Sequence, residues 1–204
     1  LMRCMHSDAC PSCGSETSAY GVLQGRCAKC REIDYAFDGL RRIGIYETVL
    51  RKMILDLKFH DRTETALFLS ENLESAFLNS PFREEIDFFV PVPLHWKRQI
   101  SRGYNQAVLL CKNLKNYHPV STDLVRIRHT PSQRDMTWAG RLRNVRGAFG
   151  LRRGHSFNER SVCLVDDITT SRATLNECAR TLKAAGVPKV YALVVAAAKS
   201  AHFS

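Results

Sequence analysis

Residues 161–175 of the chain, SVCLVDDITTSRATL, join an apolar run to two adjacent aspartates, a cluster of hydroxyl side chains and the start of a helical pattern. The apolar run at 162–165 has the length and the β-branched content of a buried parallel strand. Asp166 and Asp167 then fall at the carboxyl end of that strand, where open α/β sheets bind their ligands. This stretch therefore predicts an α/β fold with a ligand site at one edge of a parallel sheet.

The residues that follow the aspartates have the chemistry of a phosphate site. Hydroxyl groups come from Thr169, Thr170, Ser171 and Thr174, and a helix that begins at about Ala173 presents backbone N–H groups with partial positive charge. Two carboxylates beside a phosphate repel it unless they face sugar hydroxyls or hold a divalent cation. The alternative, a strand, loop and helix with an ordinary cap, accounts for the hydroxyl groups but not for the paired aspartates.

The same stretch resembles the phosphoribosyl diphosphate (PRPP) motif of type I phosphoribosyltransferases, in which two acidic residues precede a Thr-Thr-Gly-x-Thr loop. The resemblance implies that Asp166 and Asp167 are catalytic carboxylates that serve the ribose hydroxyls, with Mg²⁺ as a cofactor. It also implies a loop that holds the 5-phosphate and consists of Thr169, Thr170, Ser171, Arg172, Ala173 and Thr174. Arg172 replaces a glycine that would allow positive φ and a close backbone approach. Its guanidinium is expected either to bind the phosphate directly or to crowd the loop.

Eight cysteines need a role other than disulfides if the chain is cytoplasmic. Four of them form a C-x2-C pair, a thirteen-residue spacer and a second C-x2-C pair, which is close to the spacing of a structural zinc site. The predicted Zn²⁺ ligands are Cys10, Cys13, Cys27 and Cys30. Gly14 follows the first pair, where such a turn often requires positive φ. The alternative is two disulfides.

The chain of 204 residues is long enough for one core of ordinary size and a small appendage. The expected fold class is α/β, a type I phosphoribosyltransferase-like parallel sheet with flanking helices plus a small N-terminal zinc ribbon. We expect the ribbon at 1–36, a helical connector at 37–80 and the phosphoribosyltransferase-like domain at 81–204. Hydrophobic periodicity predicts helices at about 46–57, 64–77 and 104–116, and strands at 87–92, 124–128 and from 189 onward.

A second resemblance covers the chain from residue 10 to about residue 197. VPVPLH at 90–95 and RGYNQA at 102–107 are similar to the PVPLH and RGFNQ signatures of the ComF family. Further matches, in the family's order, are Arg126, Thr130, Ser132, Gln133, Arg141, Asn144 and the GAF tripeptide at 147–149. Membership of this family implies a zinc ribbon, a PRPP-binding or related phosphoribosyl site, and a link to natural competence, the uptake of single-stranded DNA. The implied protein partners are a competence helicase or other uptake proteins.

The segment after the 87–92 strand carries Lys97, Arg98 and Arg102 around Gly103, a set that suits the binding of pyrophosphate. The alternative is a solvated basic turn. The polar stretch at 129–145 is too long for a simple connection, and we expect it to be a loop that closes over the site.

Positive charge is concentrated in residues 97–153, which contain thirteen Lys and Arg residues and two acidic residues, a net charge of +11. The rest of the chain has a net charge of −1, so the excess is distributed like an electrostatic footprint on a polyanion. Interleaved aromatic residues would stack on unpaired bases. The candidate nucleic-acid contacts are Arg128, Arg134, Trp138, Arg141, Arg143 and Arg146. The alternative is an arginine-rich surface on an ordinary enzyme.

Two functions agree with these features. The first is a ComF-family protein that binds PRPP with Mg²⁺ and binds single-stranded DNA during competence. The second is an active phosphoribosyltransferase that transfers ribose 5-phosphate from PRPP to a small nitrogenous acceptor and has no role with DNA. The longest apolar run, at 190–198, is too short to span a bilayer, and we expect a cytoplasmic protein.

Overall fold

The computed structural model of the chain describes residues 9–18, 20–59, 63–130, 136–155 and 157–198. Its strands and helices are, in chain order, β1 (Val22–Leu23), β2 (Arg26–Cys27), α1 (Ala28–Glu32), β3 (Gly39–Ile45), α2 (Thr48–Phe59), α3 (Thr63–Leu78), β4 (Phe88–Pro91), α4 (Trp96–Arg102), α5 (Gln106–Leu110), β5 (Leu124–Arg126), α6 (Trp138–Val145), β6 (Phe149–Leu151), β7 (Val162–Thr169), α7 (Ala173–Ala184) and β8 (Val190–Ala197). A 3-10 helix lies at Leu114–Asn116. Within these ranges, no helix has both the length and the apolar character needed to cross a membrane.

Four parallel strands form the central sheet in the order β3-β8-β7-β4. Strands β7 and β8 are each eight residues long and lie in the middle of the sheet. Every residue of β8 is buried, as expected for a parallel strand that is covered on both faces. The connection from β7 to β8 runs through α7, because parallel neighbours require a crossover. The predicted α/β fold with a parallel sheet and flanking helices is confirmed.

Helices cover both faces of the sheet. On one face, Leu175 of α7 packs in a core with Leu164 of β7, together with residues of the antiparallel β5–β6 ladder. On the other face, Ile54 of α2 and Leu73 of α3 belong to a core that contains Val165 of β7. Leu164 and Val165 are adjacent in the strand, so their side chains point to opposite faces. Full burial of a side chain of this size contributes about 1.5–3 kcal/mol, and the sheet is therefore stabilised from both sides.

The segment 37–80, which the sequence analysis predicted to be a helical connector, is helical only in part. Its first portion forms β3 at the edge of the central sheet. Arg41 and Arg42 interrupt the apolar pattern of this strand and conceal it in the sequence. Arg42 is nevertheless buried, and its Nε donates a hydrogen bond to the carbonyl of Gly14 at 2.8 Å. The division of the chain into three parts stays a prediction.

Two further segments differ from the sequence predictions. Residues 124–126 pair with 149–151 in a separate ladder and do not join the central sheet. The stretch 129–145, expected to be a loop, contains α6. Thr137 precedes this helix, and its Oγ1 accepts a hydrogen bond from the N–H of Gly140 at 3.2 Å. This N-cap stabilises a short helix within a stretch whose length and polarity had indicated a loop.

Candidate functional site

A cavity of about 720 Å³ lies at the carboxyl ends of β4 and β7. Its walls come from residues 92–94 after β4, from residues 166–174 at the junction of β7 and α7, and from α2. Open α/β sheets bind ligands at this edge. Small-molecule sites have volumes of about 300–1,000 Å³, so the edge predicted from the sequence carries a cavity of suitable size.

The loop between β7 and α7 presents several groups that suit a phosphate. Ser171 is buried, and its Oγ accepts a hydrogen bond from the N–H of Ala173 at 3.4 Å. Oγ1 of Thr170 accepts a hydrogen bond from Nη1 of Arg141 at 2.8 Å, so an arginine of α6 approaches the loop. Thr174 also lines the cavity. Because α7 has twelve residues and begins at this loop, its N-terminus contributes partial positive charge beside the cavity.

Asp166 and Asp167 lie side by side near the end of β7 and both line the cavity. The N–H of Asp167 donates a hydrogen bond to Oδ1 of Asp166 at 2.8 Å. Asp167 is buried and forms an ion pair with Lys58 of α2, with 2.9 Å between Oδ2 and Nζ. Burial, together with the negative charge of Asp167, raises the pKa of Asp166 to about 8. One carboxylate is thus paired with lysine and the other has a pKa raised toward neutral pH, and both can form hydrogen bonds with sugar hydroxyls.

Five cationic side chains outside the loop line the cavity: Arg51, Lys58, Arg102, Arg126 and Arg141. Arg51 and Lys58 were not among the site residues predicted from the sequence, since α2 is distant from the aspartates along the chain. Their spacing with Leu55, at i, i+4 and i+7, places all three on one face of the helix. The shared face is visible in the sequence, but its position beside the aspartates depends on the packing of α2 against the sheet.

The predicted pyrophosphate loop is a helix, α4, rather than a loop. The run WKRQISR contains neither glycine nor proline, and its residues have good to intermediate helix propensity, so the sequence is compatible with a helix. Arg102 is the last residue of α4 and lines the cavity. The side chains of Lys97 and Arg98 lie outside the part of the chain that the structure describes. Gly103 follows with a φ of +78°, a conformation that favours glycine, and the chain then enters α5.

Arg172 directs its guanidinium toward the turn at Cys13. The residue has a φ of +62°, in the left-handed region that a glycine adopts without strain. Its side chain is 5% exposed and reaches the cysteine-containing segment, where Nε donates a hydrogen bond to the carbonyl of Cys13 at 2.8 Å. The guanidinium therefore binds protein acceptors rather than a phosphate. At this position, only the backbone is directed to a ligand in the loop.

The four predicted zinc ligands form one cluster. The Sγ atoms of Cys10, Cys13, Cys27 and Cys30 all lie within 4.8 Å of one another, and all four residues are buried. Three of the sulfur pairs are 3.7 Å apart. Tetrahedral Zn–S bonds of about 2.3 Å place sulfurs roughly 3.8 Å apart, whereas a disulfide requires about 2.05 Å. Gly14 has a φ of +68°, as predicted for the turn. The cluster has the donor set and spacing to bind a metal ion such as zinc.

The electrostatics of the cluster also suit a cation. Hydrogen bonding with Cys10 and Cys13, with a further contribution from burial, raises the pKa of Cys30. A bound metal ion would displace the protons of these closely packed thiols, because cysteine binds metal as the thiolate. The N–H of Cys27 donates a hydrogen bond to Sγ of Cys10 at 3.3 Å, a backbone contact of the kind that orients ligand sulfurs.

Three of the candidate nucleic-acid residues are exposed near α6. Arg143 belongs to this helix, and Arg146 follows its last residue. Arg128 is also exposed, and its Nη2 donates a hydrogen bond to the carbonyl of Asn144 at 3.1 Å. That contact places a cation on the carbonyl groups at the end of α6, which stabilises the helix. These three arginines present positive charge to solvent.

Of the other candidates for nucleic-acid contact, one lines the cavity and two have side chains outside the described residues. Arg141 lines the cavity and contacts Thr170. Arg134 lies outside the described residues, and so does the side chain of Trp138, the first residue of α6. The basic segment is therefore divided between cations that line the cavity and cations that face solvent.

Comparison with known proteins places the chain in a family. It is 31% identical to competence protein F of Haemophilus influenzae over 188 residues, which cover 89% of this chain and 81% of that protein. The chain belongs to the ComF family. It is also 30% identical over 187 residues to the DNA utilization protein YhgH of Escherichia coli, covering 89% of this chain and 80% of that protein. Competence protein ComFC of Bacillus subtilis is 26% identical over 181 residues, covering 85% of this chain and 70% of that protein. No protein-family model matches the chain.

Two solved structures illustrate the similarity of this ComF-family chain to proteins of known structure. One is the glutamine PRPP amidotransferase of B. subtilis complexed with ADP and GMP, at 19% identity and a TM-score of 0.42. The match covers 69% of this chain and 30% of that one, so the chain spans less than a third of the amidotransferase. The other is a hypoxanthine phosphoribosyltransferase of Trypanosoma cruzi, at 15% identity and a TM-score of 0.35, covering 71% of this chain and 67% of that one. The fold assignment depends on the strand order and register of the sheet itself.

Proposed function

We propose that this ComF-family chain binds PRPP, together with Mg²⁺, in the cavity at the carboxyl ends of β4 and β7. The observation that carries the proposal is the set of groups on one cavity: a hydroxyl-rich loop at the start of α7, two adjacent aspartates and five cationic side chains. A ligand that contains a phosphate, a sugar and a diphosphate has a complementary set of groups. The resemblance of residues 166–174 to the PRPP motif supports the same ligand.

Each part of the cavity has a role in this proposal. The loop at 169–174 binds the 5-phosphate through hydroxyls and through backbone N–H groups at the start of α7. Asp166 and Asp167 interact with the ribose hydroxyls. Mg²⁺, which prefers carboxylate and phosphate oxygens, would displace the proton of Asp166 on binding and would neutralise charge on the diphosphate. Lys97, Arg98 and Arg102 are the proposed contacts of the pyrophosphate group.

We also propose that the chain binds single-stranded DNA through the solvent-facing part of the 97–153 segment. The exposed Arg128, Arg143 and Arg146 and the net charge of +11 in this segment support the proposal. The names of two relatives, competence protein F and DNA utilization protein, agree with a role in the handling of DNA. Such binding would be weakly specific for sequence, because phosphate contacts carry no sequence information.

Calorimetric titration with PRPP, in the presence and absence of Mg²⁺, tests the first proposal. The Asp167→Asn substitution is expected to lower the Mg²⁺-dependent affinity by about 10-fold to 100-fold, because a hydrogen bond to a charged group contributes about 1.5–3 kcal/mol. Glu84→Gln is the matched control, since the side chain of Glu84 is 79% exposed and is not part of the cavity wall. An unmodified protein that does not bind PRPP, or an Asp167→Asn variant with unchanged affinity, contradicts the assignment.

The same preparation distinguishes ligand binding from catalysis. The protein is incubated with PRPP, Mg²⁺ and a panel of nucleobases, and pyrophosphate release is followed in the presence and absence of single-stranded DNA. Release that depends on one acceptor would identify a phosphoribosyltransferase. Stoichiometric binding without release would identify PRPP as a bound ligand rather than a substrate.

A further inference from the structure

The side chain of Arg172 connects the phosphate loop to the cysteine cluster. Its Nε donates a hydrogen bond to the carbonyl of Cys13 at 2.8 Å, and its Nη2 donates one to Oγ of Ser15 at 2.9 Å. Its Nη1 donates a third to the carbonyl of Thr170 at 3.0 Å, within the loop itself. One buried guanidinium thus holds a candidate metal ligand residue at one end and the candidate phosphate loop at the other.

The contact also reaches the sulfur of Cys13. Oγ of Ser15 accepts a hydrogen bond from Sγ of Cys13 at 3.2 Å, so Arg172, Ser15 and the cluster form a continuous hydrogen-bonded path. A second connection lies close by, where Oδ1 of Asn176 in α7 accepts a hydrogen bond from the N–H of Ala36 at 2.6 Å. The loop before α7 is therefore held against the turn at Cys13, and the first turn of α7 is held against the chain that follows α1.

The backbone of Arg172 adopts a conformation that depends on these contacts. A non-glycine residue with positive φ is strained, and it persists only where its surroundings hold it there. The three hydrogen bonds of the guanidinium provide that restraint. If the turn at Cys13 moves, a buried charged group loses two of its acceptors, which is unfavourable unless the loop moves with it.

We propose that Arg172 is a positioning residue that couples the two sites, so that a metal ion in the cysteine cluster and a phosphate ligand in the loop bind cooperatively. The proposal rests on the proposed function of the loop as a phosphate site. The metal ion fixes Sγ of Cys13 and thereby the carbonyl that Arg172 contacts, and the loop is then held in the conformation that receives phosphate. Coupling between two binding equilibria is reciprocal, so the phosphate ligand also retains the metal ion.

The rate of zinc transfer to a chromogenic chelator measures this coupling in the zinc-loaded full-length chain. Transfer from the unmodified protein is expected to be slowed about fivefold or more by saturating PRPP, with Mg²⁺ present in both samples. In Arg172→Gly, PRPP still binds, because glycine adopts the loop conformation freely, but transfer no longer responds to it. Arg172→Lys, which has one donor group in place of a planar fork, is expected to retain part of the response. Arg153→Gly, an exposed arginine in a turn, is the matched control and keeps the full response.

Hydrogen exchange provides a second measurement that does not require PRPP. Removal of zinc is expected to raise amide exchange in the 169–174 loop of the unmodified protein, with little change in α3, which packs on the opposite face of the sheet from α7. In Arg172→Gly the exchange of the loop is expected to be the same with and without zinc. Unmodified protein that binds PRPP but shows equal transfer rates overturns the coupling and leaves the proposed function intact. If PRPP does not bind, the proposed function is wrong. In that case the hydrogen-exchange measurement still tests the coupling, and equal exchange of the loop with and without zinc overturns it.

Discussion

Replacement of Asp166 by asparagine tests the electrostatics of the paired aspartates. Folding raises the pKa of Asp166 to about 8, chiefly through burial, whereas an aspartate in an unfolded chain has a pKa of about 3.9. Between these values the folded state holds a proton that the unfolded state has released, so the free energy of unfolding decreases as the pH rises. One proton contributes at most about 1.4 kcal/mol per pH unit, or about 3 kcal/mol between pH 5 and pH 7.

Urea unfolding between about pH 5 and about pH 8 measures this effect. The Asp166→Asn variant is expected to lack the decrease and therefore to be more stable than the unmodified protein at the upper end of the range. Asp34→Asn is the matched control and keeps the decrease, because the side chain of Asp34 is 95% exposed. An Asp166→Asn variant whose free energy of unfolding follows the same pH profile as the unmodified protein would refute the reasoning.

Three other predictions concern the cysteine cluster and the basic segment. Gly14→Ala is expected to lower the free energy of unfolding by about 1–3 kcal/mol. The reason is that Gly14 has a φ of +68° and that an added Cβ would lie 2.3 Å from Cδ2 of Leu40. A thermal unfolding midpoint equal to that of the unmodified protein would contradict this. Metal analysis is expected to give about one zinc per chain, and Cys30→Ser to lose it; zinc-free unmodified protein with oxidised cysteine pairs would exclude the site. Combined Arg143→Ala and Arg146→Ala is expected to flatten the salt dependence of single-stranded DNA binding by about 0.7 per lost phosphate contact, or about 1.4 in a plot of log affinity against log salt. Filter binding at several salt concentrations measures the slope, and a slope equal to that of the unmodified protein would remove these residues from the interface.

The features that the sequence predicted well are those whose cause is local. Strand β7 was recognisable because a parallel strand covered on both faces requires an uninterrupted apolar run, and Asp166 marks the point where that run ends. The cysteine cluster was recognisable because two C-x2-C pairs supply all four sulfurs within a short stretch. In both cases, residues that are close in sequence form the feature together.

The features that the sequence did not reveal depend on contacts between distant segments. Arg51 and Lys58 reach the cavity because α2 packs beside the end of β7, a relation that no local pattern encodes. Strand β3 is concealed by Arg42, a buried cation that donates a hydrogen bond to the carbonyl of Gly14, 28 residues away in the sequence. The direction of the Arg172 side chain depends likewise on residues that lie 157 and 159 positions away in the sequence.

The strand order of the central sheet has a consequence for biosynthesis. Strand β8 is the last strand of the described chain, yet it lies between β3 and β7. Until the ribosome has released β8, a nascent chain therefore has two strands whose facing edges are unpaired. Unpaired apolar strand edges are templates for association with other chains. A stop codon before residue 190 would leave both edges open at once, so we expect such truncated chains to be recovered as aggregates or with chaperones rather than as a protein lacking one strand.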